Sequence, residues 1–211
     1  MSATTAPHAG PDEVVEPTPA DAVHHTSTGL SNEKLAMWVF LGSECLLFGG
    51  LISTYLLYRN RDVRGGPTVS ELYDIPFTSV SSFILLMSSL TMVLALSATQ
   101  RGDQTRSRIW LTTTALLGAS FVAGQVYEFT TFVKEGLGFT VNLQSSAFYV
   151  LTGFHGVHVT IGILILLSLV VMSLRGALPA ARSEVVEIAG LYWHFVDVVW
   201  IVIFTVVYLI R

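Results

Sequence analysis

Charge is what this chain has least of. Only 12% of its 211 residues are Asp, Glu, Lys or Arg, against about 25% in an average soluble domain, while 52% are hydrophobic and the mean hydropathy is +0.62. Cysteine is nearly absent too: Cys45 stands alone, which excludes an internal disulfide and any metal site built on several thiolates. No Lys or Arg precedes Lys34, so the N-terminal region offers neither the basic start of a secretory signal nor the arginines of a mitochondrial transit peptide. The net charge of −4 gives no basic surface for nucleic acid.

What the chain has instead is long charge-poor runs of the length a bilayer demands, about 20 residues each. Leu35 to Tyr58 contains one charge, Glu44; Ile75 to Gln100 contains none; Ile109 to Val133 contains only Glu128. Ser145 to Leu174 has no charge apart from its two histidines, and Ile188 to Ile210 contains only Asp197. Backbone polar groups cannot go unbonded in hydrocarbon, so each run is predicted to be a helix; the runs are too long and too uniformly apolar for barrel strands. The expected fold is all-α, a bundle of five transmembrane helices over residues 34–211, with the two termini on opposite sides of the membrane.

Residues 1–33 differ in kind, with four of the seven prolines (Pro7, Pro11, Pro17, Pro19) and several acids. They read as a disordered tail, in which His24 and His25 are solvated polar residues with zinc binding as the alternative. The connection over residues 60–74, rich in Arg and Gly, reads as a loop, and the short turn Arg101–Arg108 makes the second and third spans antiparallel neighbours. An inside N-terminus places Lys34, Arg101, Arg106, Arg108, Arg175 and Arg182 in the cytoplasm, against Arg59, Arg61, Arg64, Lys134 and Arg211 outside; six against five barely engages the positive-inside rule. Gly42, Gly49, Gly50 and Ser53, then Gly118, Ala119, Ala123 and Gly124, then Gly153, Gly156 and Gly162 are expected to let helices approach closely.

Ionisable groups inside spans are costly, so each is a candidate functional residue. Glu44 lies nine residues past Leu35, and Asp197 nine past Ile188, which sinks both carboxyls about 14 Å into parallel spans, near mid-membrane. Each is either a protonatable site or a hydrogen-bonded packing residue. His155 and His158 are spaced i, i+3, as are His194 and Asp197, so a carboxylate orienting an imidazole is a plausible geometry for the second pair. The histidines are weighed as haem or copper ligands, as a proton path, and as polar glue; satisfied hydrogen bonding is favoured over ligation, because a metal centre needs more ligands and an oriented second shell. Gln125 and Glu128 share a face near the end of the third span, about 28 Å along it for Glu128, which favours an interfacial or lipid contact.

Four stretches carry a resemblance: FYVLTGFHGVHVTIG (Phe148–Gly162), LYWHFVDVVWIVIFTVVYL (Leu191–Leu209), WVFLGSECLLFGGLISTYLLY (Trp38–Tyr58) and FVAGQVYEF (Phe121–Phe129). With IPFTSVSSFILLMSSLTM (Ile75–Met92), they resemble subunit III of the haem–copper respiratory terminal oxidases over residues 34–211. The resemblance implies a bacterial plasma-membrane subunit that binds no haem or copper itself, the metals residing in partner subunits I and II, with a small subunit IV and phospholipid as further partners. It implies that His155, His158, His194 and Asp197 hold helices, subunit I or lipid in place, and that Glu44 matches the carbodiimide-reactive carboxyl of the family. Such a subunit is dispensable for electron transfer; it sustains proton entry to subunit I and protects against inactivation in turnover. The chain resembles the short five-span type, which lacks the first two spans of longer members and starts in the cytoplasm. LTGFHG and SEC lean toward the cytochrome c branch rather than the quinol branch. Two rivals stand beside it: a proton or ion transporter, which would want an internal repeat and broken helices, and a small b-type cytochrome pairing His155 or His158 with His194.

Overall fold

The computed structural model describes residues 31–59 and 75–210. The expected N-terminal tail with His24 and His25 and the expected loop over residues 60–74 therefore lie outside the described residues. Five long helices cross the described chain: α1 (Asn32–Tyr58), α2 (Ile75–Gln100), α3 (Gln104–Lys134), α4 (Leu143–Leu174) and α5 (Ser183–Phe204), which continues as a π-helical turn over Thr205–Leu209. All five are long and apolar enough to cross a membrane. Helices α1, α3, α4 and α5 begin two to five residues before their apolar runs, because their first turns sit where backbone and side chains still meet polar partners. Asp103 accepts from the Arg106 N–H at the start of α3, and Asn142 and Ser145 form a reciprocal capping box at the start of α4. The turn between α2 and α3 is only Arg101–Asp103, shorter than the eight residues expected. Gly102, Gly136 and Gly176 take φ of 75°, 90° and 70° and stop α2, α3 and α4, a backbone state costly for any residue with a Cβ.

Helices α2, α3, α4 and α5 close a ring in which each packs on two neighbours. The indole of Trp193, 1% exposed, fills the middle. Its Nε1 donates to Ser88 Oγ of α2 at 2.9 Å. Its ring lies so close to two glycines that a Cβ on Gly118 of α3 would come 2.5 Å from it, and one on Gly162 of α4 would come 2.8 Å from it. One side chain of α5 thus touches the three other helices, and glycine is the residue that admits it. Seven residues on, Trp200 Nε1 donates to Ser82 Oγ at 2.8 Å, so α2 and α5 are joined twice by the same pairing. Thr91 and Thr114 bridge α2 to α3 at 2.8 Å, and Thr99 and Ser107 do so at 2.7 Å.

Helix α1 packs differently. Only 11% of its most apolar stretch is buried, against 44% for α5, and it reaches the ring by long side chains rather than by close backbone approach. Gly42, Gly49 and Gly50 have no atom within 4 Å of where a Cβ would stand, so the small face of α1 expected to admit a neighbour has none among the described residues; Gly153 of α4 is open likewise. Gly118, Gly124, Gly156 and Gly162 do carry close contacts.

The position of Trp193 generates a test. Gly118→Leu or Gly162→Leu should cost at least about 1–3 kcal/mol through overpacking and expel the indole, whereas Gly49→Leu should leave the ring intact. Graded unfolding in mixed micelles, followed by tryptophan emission, measures the difference.

Candidate functional site

The intramembrane polar residues separate into four local settings. At the first, α1 meets α4: Glu44 Oε2 lies 3.1 Å from His158 Nε2, and His158 Nδ1 lies 2.8 Å from the carbonyl of Phe154, one turn back on its own helix. That carbonyl can only accept, so Nδ1 carries a proton, and the Glu44–His158 contact then holds one more proton, as a carboxylic acid facing an imidazole or as a carboxylate facing an imidazolium. Tyr192 of α5 donates from its hydroxyl to the His158 carbonyl at 3.0 Å, and the ring of Phe48 stands edge-on to the imidazole at 5.0 Å. Two flanking contacts also tie α1 to the far ends of α5: Lys34 Nζ lies 2.9 Å from Glu187 Oε2, and Arg59 Nη2 donates to the carbonyl of Ile210.

His155 has a different environment from His158, although they are only three residues apart. It is 0% exposed, stacked on Trp200 at 4.9 Å and met edge-on by Phe121 at 6.0 Å and Phe48 at 6.3 Å. Neither ring nitrogen has a hydrogen-bond partner among the described residues. His155 is a planar aromatic packing element, since ring contacts of this geometry contribute about 0.5–1.5 kcal/mol each.

The third setting is the α2–α5 seam. His194 Nδ1 lies 2.6 Å from Ser89 Oγ, so the imidazole takes a hydroxyl of α2 rather than the carboxyl of Asp197 three residues on. Asp197 is 3% exposed, and Ser89 is the group beside it; neither carboxyl oxygen has a hydrogen-bond partner of full geometry. Glu44 and Asp197, at similar depth along parallel helices, therefore open onto different seams.

The fourth setting turns Gln125 and Glu128 inward. Glu128 is 6% exposed; its Oε1 accepts from Thr78 Oγ1 at 2.8 Å and from the Tyr208 hydroxyl at 3.3 Å. Gln125 donates from Nε2 to the Thr152 carbonyl at 2.8 Å, with its Oε1 against Gly156. At these positions, where an interfacial or lipid contact was expected, the side chains bond among α2, α3, α4 and the end of α5. An apolar groove of about 310 Å³ runs past Gln125, lined by Val122, Val126, Phe129, Gly153, Val157 and Ile161 among others.

No three His, Cys, Asp or Glu side chains converge among the described residues. His158 is engaged at both nitrogens, His155 is boxed by rings, and His194 is bonded to Ser89. Reading the sequence missed the hydroxyls of α2. Their signal was present, because Ser82 lies six and seven residues, about two helical turns, before Ser88 and Ser89, much as Trp193 lies seven before Trp200.

An all-α polytopic membrane protein with its polar groups bonded across helix seams is the class that this fold defines. The family model described as "Cytochrome c oxidase subunit III" matches residues 13–210, reaching back into the N-terminal region beyond the resemblance read from the spans. The cytochrome c oxidase subunit 3 of Bacillus sp. (strain PS3) is 40% identical over 202 residues, 96% of this chain and 97% of that protein. The quinol oxidase subunit 3 of Bacillus subtilis (strain 168) is 40% identical over 88% of this chain and 90% of its own length. The cytochrome c oxidase subunit 3 of Thermostichus vulcanus is 40% identical over 90% and 94%. The chain belongs to the cytochrome c oxidase subunit III family, and is an accessory membrane subunit of a haem–copper terminal oxidase.

The setting of His155 predicts the effect of replacing it. His155→Phe keeps the stacked ring and removes two unbonded nitrogens, so stability should change by less than about 1.5 kcal/mol. His158→Ala should loosen α1 from α4. Protease protection of the α1–α4 seam in detergent compares the two; a His155→Phe variant as loose as His158→Ala would contradict the assignment.

Proposed function

We propose that the chain acts in its complex as structural and lipid-facing support for the subunits that hold haem and copper, and helps sustain proton uptake by them in turnover. Oxygen reduction then belongs to partner subunits I and II, with a small subunit IV as a further neighbour, and this polypeptide alone has no activity. The observation that carries the reading is the fate of the ionisable groups: Glu44, His158, His194 and Glu128 are each bonded to a side chain of a neighbouring helix. Among the described residues, the Glu44–His158 contact brings a carboxyl and an imidazole together within the spans, which supports a role in holding protons near the partner rather than in reducing oxygen. The complex sits in a bacterial plasma membrane with the N-terminus of this chain in the cytoplasm, the side that gathers Lys34, Arg101, Arg106, Arg108, Arg175 and Arg182. Phospholipid lies along its apolar grooves. Relatives named for cytochrome c and for quinol oxidases match at the same 40% identity, so the donor is a property of the assembled complex, to be read from its turnover with each.

Isolation in mild detergent by a tag on this chain tests the reading: a haem-bearing polypeptide should co-purify, and its absence would overturn the assignment. Glu44→Gln keeps a hydrogen bond to His158, because the amide donates to the ring nitrogen. The intact variant complex should reduce oxygen initially like the wild type and lose activity sooner in sustained turnover. Immediate loss of all activity would contradict the supporting role.

A further inference from the structure

The α2–α5 seam holds a carboxyl that no hydrogen bond of full geometry engages. Asp197 is 3% exposed, and both its carboxyl oxygens are enclosed. Among the described residues no Lys or Arg pairs with it. Helix α2 brings the hydroxyls of Ser82, Ser88 and Ser89, while α3 and α4 bring the rings of Phe121 and His155, both packed on Trp200. On α5 itself His194 stands one turn away. A carboxylate in that enclosure would be uncompensated, whereas a carboxylic acid needs only an acceptor for its proton.

The three serines of α2 are not equivalent. Ser82 and Ser88 each accept from a tryptophan Nε1 and give their own proton to a carbonyl of α2, that of Thr78 at 2.7 Å and that of Leu85 at 2.5 Å. Among the described residues, Ser89 bonds to no carbonyl of its helix. Its Oγ lies 2.6 Å from His194 Nδ1, with the Asp197 carboxyl alongside.

We propose that Asp197 is a proton-binding site of this chain, filled and emptied through Ser89 and His194. When it is filled, Asp197 gives its proton to Ser89 Oγ, Ser89 gives its own to His194 Nδ1, and the imidazole keeps its proton on Nε2. Exposure rises along the same line: Asp197 is buried, Ser89 and His194 are partly exposed, and Nε2 is the outer end. To empty the site, an external base takes the Nε2 proton, the Ser89 proton passes to Nδ1, and the carboxyl proton passes to Ser89 Oγ. Serine and imidazole end neutral, and the one proton lost leaves a carboxylate at Asp197. Filling runs the same transfers backwards. The site belongs to this chain alone, so its failure would leave the family assignment standing.

Infrared spectroscopy of the full chain in lipid discs tests it. Aspartate with a heavy carbon at its side-chain carboxyl marks the Asp bands and leaves those of Glu44 and Glu128 unmoved. In neutral medium a protonated-carboxyl band should move with the label, and Asp197→Asn should abolish it. The band should fade after a step to alkaline medium and return on reversal. Ser89→Ala removes the hydroxyl, and His194→Gln keeps a polar contact but has no ring to pass a proton across. Both should slow fading and return roughly a hundredfold, the lower end of what a positioned proton-transfer group contributes. Ser89→Thr, which restores the hydroxyl, should follow the wild type. No labelled band in neutral medium, a band that never fades, or equal rates in wild type, Ser89→Ala and His194→Gln would each overturn the proposal.

Discussion

Four helices meet around one indole. Trp193 sits between Gly118 and Gly162 and is tethered to Ser88, so the spacing of α2, α3, α4 and α5 is set by the dimensions of a ring rather than by any hydrophobic preference. In lipid no such preference exists, because the solvent is as apolar as the side chains; packing and polar contacts decide which helices associate. Serine supplies the polar contact at low volume, glycine supplies the room, and tryptophan brings both a donor and a large surface. Trp200 with Ser82 repeats the device two turns on, and the seam it makes then positions Ser89 against His194.

The ionisable residues fit into what that ring leaves. Glu128 is bonded by Thr78 and Tyr208 at the far end of the bundle, and Glu44 is answered by His158, which attaches the outlying helix α1. Removing one partner of such a pair would strand the other in hydrocarbon, which is the costly half of any buried polar contact. Helix α1 therefore depends on its polar tethers more than the others do: among the described residues no atom stands within 4 Å of where a Cβ on its glycines would lie, and it is joined at Lys34, at Glu44 and Phe48, and at Arg59.

The helices were legible because charge is so sparse: five interruptions of the charge pattern mark five spans. Their ends were less so, since an apolar run records where lipid begins and not where hydrogen bonding stops; Asp103 and Asn142 start α3 and α4 upstream of it. Position along the helix was legible for Glu44 and Asp197, but not the seam that each faces, because rotation about the helix axis is set by neighbours in space. His155 and His158 show the limit most clearly. Three residues apart they share a side of α4, yet one meets Trp200 and the other Glu44, a distinction that depends on where α1 and α5 stand. Gly118 and Gly42 are likewise alike in sequence and opposite in surroundings.

In the proposed account, the imidazoles and carboxyls of this membrane domain act between helices, with redox chemistry left to neighbouring subunits. The sharpest check is elemental analysis after stripping this chain from the purified complex with detergent. The released polypeptide should carry neither iron nor copper, and the depleted complex should keep its full complement of both with an unchanged haem spectrum. Iron or copper leaving in proportion to the released chain would contradict the account.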